Sequence, residues 1–198
     1  MAPRPPTRRE LLATGAAGAL LVPASVAAAA SGAAPPFSVT DRLQRLIRLE
    51  LLLLFCYRHV LASSILTARA RRTVAPFVAH EEAHIGALER RLAARGGAAP
   101  AGPASIAAAN HDLAHRNIGG RLGQLKGGPD ALRLLLTLEQ VTIGAYFVAL
   151  TKLQDTPLIE LVCEIMANDA QHDAMIGLLL PKATLGSAVP YALVQGLQ

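Results

Sequence analysis

Near the C-terminal end, Asn168-Asp169-Ala170-Gln171-His172 sets an acid and a histidine three residues apart inside an apolar run, and Glu81-Glu82-Ala83-His84 repeats the pattern upstream. Residues three apart on a helix project from one face, one turn apart. Each pair therefore aims a carboxylate and an imidazole together. Two lone acids complete the set. Glu50 and Glu139 occupy positions where the surrounding helical stripe carries Leu, Ile or Tyr. Glu50 is followed by Tyr57 after seven residues and by Glu81 after 31; Glu139 is followed by Tyr146 after seven and by Asp169 after 30. These matched spacings make an internal repeat.

Four carboxylates gathered in a low-dielectric core repel, and most would have to take up protons. Two divalent cations remove that difficulty. One Glu from each of two helices plus an acid-x-x-His pair from each of the other two is the arrangement of di-iron and di-manganese carboxylate sites. Oxygen and imidazole ligands suit iron or manganese, and the lack of thiolates in the set argues against iron–sulfur chemistry. On this reading Glu50, Glu81, Glu139 and Asp169 bind or bridge, and His84 and His172 are terminal ligands. No catalytic residue beyond these ligands is assigned.

The elements that must position these groups are helical. Apolar residues at Leu43, Ile47, Leu54, Tyr57 and Leu61, with Glu50 among them, step by four and three, which is a bundle seam. Helix A is predicted over 40–70, with Arg69, Arg71 and Arg72 suited to its C-terminal end. Helix B follows Thr73, takes Pro76 in its first turn and ends at Gly96-Gly97. Helix C begins near Pro129-Asp130. Helix D has Thr156 as N-cap, Pro157 at the first helical position and Pro181 as its stop. Residues 96–128 are too long for a bundle turn, carry a short helix over 105–117, and suffice to cross the whole bundle. The fold class expected is all-α.

Composition agrees. The 198 residues are rich in Ala and Leu, hold few aromatics, and carry a net charge of +5. Arg4, Arg8, Arg9 and Glu10 fall within 1–30, and their removal leaves +3. The basic side chains are scattered and read as solvated faces, so no nucleic-acid partner is expected. The first thirty residues have a charged start, an apolar middle from Leu11 to Val22 and a small-residue end at Ala27–Ala30, which describes a signal peptide too short to span a bilayer easily. Arg8-Arg9 followed by Leu11-Leu12 resembles the twin-arginine export signal. The chain is thus expected to be exported, periplasmic or extracytoplasmic, using the twin-arginine machinery in transit and with no stable membrane anchor. Residues 31–39 read as a disordered leader, 40–181 as the bundle and 182–198 as a tail.

With Leu49-Glu50, Glu81-Glu82-Ala83-His84, Leu138-Glu139 with Tyr146, and Ala167–His172 in place, the sequence resembles the ferritin-like superfamily, specifically its twin-arginine-exported bacterial members, over about residues 40–181. The resemblance implies a ferritin-like four-helix bundle with a long B–C crossover. It implies metal ligands at Glu50, Glu81, His84, Glu139, Asp169 and His172, and oxidation of Fe(II) or consumption of peroxide. The chain departs from the family in carrying Asp169 for the usual Glu, one methylene shorter. Two ions are expected, with one as the alternative. The rival function is a non-catalytic ferritin-like scaffold whose acids form a buried network or hold a single structural ion.

Other residues carry smaller expectations. Tyr57 and Tyr146 read as seam aromatics with a polar tip, against a role in hydrogen bonding to the ligands or in electron relay. Glu82 and Glu164 read as surface. His80 is a substitute ligand or a surface residue, and His111 and His115 are surface. A crossover of this type makes helices A and D parallel, which puts Cys56 and Cys163 roughly 18 Å apart. That exceeds disulfide reach, and two free, buried thiols are expected. The apolar run Leu51–Phe55 must be covered by the tail, by the crossing segment or by a second copy in a homodimer.

Overall fold

Helix α1 (Val39–Ala62) starts at a reciprocal cap: the Asp41 N–H donates to the Ser38 hydroxyl, 3.1 Å, and the Ser38 N–H donates back to Asp41 Oδ2, 3.0 Å. The computed structural model describes residues 37–119 and 121–181. The proposed signal peptide 1–30, residues 31–36 of the leader and the tail 182–198 lie outside the described residues. After α1 come α2 (Ala68–Val74), α3 (Phe77–Ala93), α4 (Ile106–His115), α5 (Gly128–Leu150) and α6 (Thr156–Gly177), with no strand among the described residues.

Helix A does not run to residue 70. Ser63 leaves the helical region at φ −77°, ψ 159°. The Arg71 guanidinium donates to the carbonyls of Leu61 and Ser63, satisfying acceptors that α1 leaves open. Arg71 does serve the end of α1, as its charge suggested, but from the separate helix α2, which Thr67 caps. Helix α3 closes as its glycines predict. Gly96 adopts φ +72°, the Gly97 N–H reaches the Leu92 carbonyl at 3.1 Å, and the Gly96 N–H reaches Ala93 at 2.9 Å. The N-cap of α6 is Asp155, one residue before the expected Thr156; its carboxylate accepts the Leu158 N–H at 3.1 Å and also pairs with Arg95 just beyond α3.

The crossing segment covers the run on α1. A Cβ at Gly102 would lie 3.1 Å from Leu51 Cβ, so the backbone there rests directly on α1. Ala109, Leu113, Ile118 and Leu122 are buried in one core cluster with Leu52 and Leu53. The Asn110 side chain fastens the return by accepting the Leu122 N–H at 2.8 Å and donating to the Leu122 carbonyl at 3.3 Å.

Contacts across the bundle fix its directions. Tyr57 meets Glu139 while Tyr146 meets Glu50, so α1 and α5 are antiparallel. His84 meets Asp169 while Glu81 meets His172, so α3 and α6 are antiparallel too. Tyr57 packs on Phe77 and His84 faces Glu50, which makes α1 and α3 antiparallel. Helices α1 and α6 are therefore parallel, and the crossing runs the length of the bundle. Cys56 and Cys163 are both free. Only Cys56 is buried, however. Cys163 is exposed, because Val162 takes the inward position and the next residue turns about 100° away.

The core falls into two apolar halves. One gathers Leu52, Leu53, Phe77, Leu135 and Ile176; the other gathers Ile47, Leu88, Tyr146, Val162 and Ile165. Each fully buried aliphatic side chain contributes roughly 1.5–3 kcal/mol, and the many in these halves offset the cost of the polar band between them.

Candidate metal centre

That band holds all six residues singled out by spacing. Glu50, Glu81, Glu139 and Asp169 are fully buried, His172 is 1% exposed and His84 8%. On every one of the four long helices the ionisable residue sits between a member of one apolar half and a member of the other: Ile47 and Leu52 around Glu50, Phe77 and Leu88 around Glu81 and His84, Leu135 and Tyr146 around Glu139, Ile165 and Ile176 around Asp169 and His172. All six therefore share one height.

The geometry has two overlapping sets. Glu50, Glu81, His84 and Asp169 can bring one ligand atom each to within 4.8 Å of one another, and so can Glu81, Glu139, Asp169 and His172. Glu81 and Asp169 belong to both. The Glu81 carboxylate divides its oxygens: Oε2 lies 3.3 Å from His84 Nδ1, and Oε1 lies 3.1 Å from His172 Nδ1. Asp169 Oδ1 lies 3.4 Å from His84 Nδ1, so the shorter side chain still reaches the shared position. Glu50 flanks the His84 side at 3.8 Å and Glu139 the His172 side at 3.3 Å.

The donor set fits a cation. Glu50 Oε2, Glu81 Oε1, Glu139 Oε2, both Asp169 oxygens and His172 Nδ1 are shut off from solvent with no hydrogen-bond partner among the described residues. Unsatisfied buried acceptors are costly, and these face one another across a small volume. They are the lone pairs that one or two metal ions would take.

Protons hold the cluster together otherwise. Desolvation pushes Glu81 and Asp169 well above the usual carboxylate range, and the charge of Glu50 adds to it. Burial lifts Glu139 to about 8 against the pull of His172. Burial also lifts Glu50, but the facing His84 and Glu81 side chains outweigh it and leave that carboxyl below its usual value. For His84 burial lowers the imidazole, yet Glu50 and Glu81 win and raise it to about 10. These shifts favour a carboxylate at Glu50 facing an imidazolium at His84, and favour the protonated form at Glu81, Glu139 and Asp169.

Five residues do more than their spacing announced. Tyr57 donates its hydroxyl to Glu139 Oε1, and Tyr146 donates to Glu50 Oε1, each from the opposite half of the repeat. The reading of both as plain seam aromatics is thereby revised. Burial first, and the facing carboxylates next, raise both phenols well above 10, which keeps them as donors. His80 is a partner of a ligand: its Nδ1 lies 2.9 Å from His172 Nε2, the nitrogen that faces away from the carboxylates. Phe77 stacks on the same imidazole at 4.0 Å between ring centroids. Asp173 is fully buried, neither of its oxygens has a partner, and burial raises it to about 6. The steps from Asp169 through His172 and Asp173 to Ile176 are the i, i+3, i+4, i+7 stripe of a buried face, a signal present in the sequence that was not used. Glu82 and Glu164 are exposed as expected, and Glu82 pairs with Arg58. His111 and His115 stack on each other at the surface.

Comparison with known proteins follows the same line. No curated protein matches the chain. A solved structure of a conserved hypothetical protein from Mycobacterium tuberculosis superposes with a TM-score of 0.58 at 16% identity, covering 73% of this chain and 91% of that one. The likeness is one of fold. The sequence model of the ferritin-like domain matches residues 38–182, from the cap of α1 to just past the end of α6, and the chain belongs to the ferritin-like domain family.

Proposed function

We propose that this is an exported ferritin-like protein that binds two iron or manganese ions among Glu50, Glu81, His84, Glu139, Asp169 and His172 and uses them to oxidise Fe(II) or consume peroxide. The observation that carries the reading is Glu81, whose two oxygens face two different imidazoles at 3.3 and 3.1 Å. A carboxylate in that posture would hold an ion on either side. Bound iron or manganese supplies the redox change and Lewis acidity that these side chains lack. The chain's own residues do the rest. Glu81 and Asp169 occupy the shared positions, and Glu50 with His84 and Glu139 with His172 form the two outer ends. Tyr57 and Tyr146 hold the outer glutamates in place through their hydroxyls. The apolar halves above and below exclude bulk water. The Arg8-Arg9 signal supports passage through the twin-arginine machinery to an extracytoplasmic compartment, a route suited to a chain that carries metal before export.

A second reading rests on the proton arrangement. The Glu50–His84 ion pair and the protonated acids around it neutralise the band internally, which is what a scaffold without catalysis requires. Elemental analysis of protein taken from its native compartment separates the two. About two iron or manganese per chain, lost in Glu81→Ala, is expected. Metal-free protein whose melting temperature is unmoved by chelator would establish the scaffold.

A further inference from the structure

The sequence scatters its arginines, yet the fold gathers three of them away from the metal band. Arg45 and Arg48 stand one turn apart on α1, and Arg116 follows α4 at the end nearest them. With Ala101, Pro103, Asp112 and His115 they line a cleft of about 460 Å³. Four arginines elsewhere find acceptors: Arg58 pairs with Glu82, Arg95 with Asp155 and Arg133 with Asp130, and Arg71 caps α1. Arg45, Arg48 and Arg116 pair with no carboxylate among the described residues. The Arg116 Nε–H is shut off from solvent and has no acceptor among the described residues.

The cleft has three permanent cations and one acid. Asp112 is already turned to His111, with Oδ1 3.6 Å from Nδ1. Burial lowers the Arg116 guanidinium most; Asp112 draws it back up, while Arg48 and Arg45 push it further down. The last carbonyls of α4 ease part of this charge, but they leave the donors of Arg45 and Arg48 unused. Arg45 is also held in place, its Cζ 3.6 Å above the Phe37 ring, a stacking contact that leaves every N–H free to donate. Planar guanidinium forks with idle donors and a surplus of about two positive charges match a tetrahedral dianion, which accepts two hydrogen bonds from each fork.

We propose that the cleft between α1 and the crossing segment, lined by Arg45, Arg48 and Arg116, binds a small phosphate dianion, either inorganic phosphate or a phosphate monoester. His115 and Asp112 stand at its wall, where they can meet the hydroxyls of an ester.

The test uses the full folded chain freed of metal by chelation, titrated calorimetrically in 0.15 M NaCl with inorganic phosphate and separately with glycerol phosphate. Saturable one-to-one binding with Kd below about 1 mM is expected, weakened at least about tenfold in the Arg45→Ala/Arg48→Ala double variant. Both of those side chains are exposed, so that variant keeps its fold, which circular dichroism checks. Arg116→Lys keeps the charge, loses the fork and also weakens binding, whereas Arg133→Ala leaves it unchanged. Tighter binding of glycerol phosphate identifies a monoester as the occupant, and tighter binding of the free ion identifies phosphate itself. Uptake that does not saturate by about 10 mM, an unchanged Kd in the double variant, or binding that requires added iron would overturn the proposal.

Discussion

Each lone glutamate is answered by a tyrosine from the other half of the repeat, and this crossing has an energetic consequence. Replacing Tyr57 with Phe strips Glu139 Oε1 of its donor while leaving the ring packed against Phe77. An orphaned buried acceptor costs about 1–3 kcal/mol, so metal-free Tyr57→Phe should unfold at lower urea than the parent, and Tyr146→Phe should behave alike. An unmoved midpoint would show that the hydroxyls do not hold the glutamates. His80 makes a different prediction. Its Nδ1 lies 2.9 Å from His172 Nε2, and by accepting the N–H there it would hold the tautomer that offers Nδ1 to a metal ion. On the proposed two-ion reading, His80→Ala should lower affinity for one of the ions by about 10–100-fold, read by competition with a chelating dye, and His80→Gln should restore part of it. Equal loss of both ions would count against this. These roles were only partly legible beforehand. Spacing along one helix shows which residues share a height, but it does not show which side chain of a facing helix meets them. The tyrosine partners and His80 lie across the bundle, whereas Asp173 follows the helical stripe of Asp169 and His172 and was readable from spacing.

At the scale of elements, the helix ends carry the lesson. The seam of α1 carries no stop signal of its own after Leu61, and hydrophobic steps alone cannot register a guanidinium that returns from the next helix to take the last carbonyls. Local capping signals did better. Gly96-Gly97 ends α3 as its composition indicates, and the start of α6 was misplaced by one residue because Asp155 and Thr156 are both competent caps. Asp155 does two jobs, accepting the Leu158 N–H and pairing with Arg95. Asp155→Ala should therefore cost about 1 kcal/mol from the cap, whereas Arg95→Ala removes only a half-exposed pair and should cost less. Thermal melts of the two variants give the order, and a larger loss for Arg95→Ala would place the value in the ion pair instead.

For the whole molecule, the pattern of acids named the fold and the six-residue cluster, because only a bundle brings one ionisable residue per helix to a common height. The arginine cleft was illegible, since its parts lie in α1 and in the crossing segment, far apart in the chain. Protonation gives the whole fold a pH dependence. Glu139 holds its proton up to about 8 in the folded protein against an ordinary 4.5, and His84 up to about 10 against 6.5. The folded state thus binds more protons than the unfolded chain across this range, and stability falls as pH rises. The melting temperature of metal-free protein should drop from about pH 5 to about pH 9. Loading with metal, which needs deprotonated ligands, should reverse the slope. A flat profile without metal would show that the cluster does not store protons.

The doubled spacing has one more implication. Helices α1 and α3 make one hairpin and α5 and α6 another, and each contributes a lone acid, an acid–histidine pair and a tyrosine that reaches into its neighbour. Neither hairpin owns a finished centre. The centre is a seam between two near-equivalent modules, of the kind two identical short chains would form by docking face to face. The crossing strap makes that encounter intramolecular, and in doing so it frees the modules to diverge: one keeps Glu81 behind His80, while the other has settled on Asp169 behind Asn168.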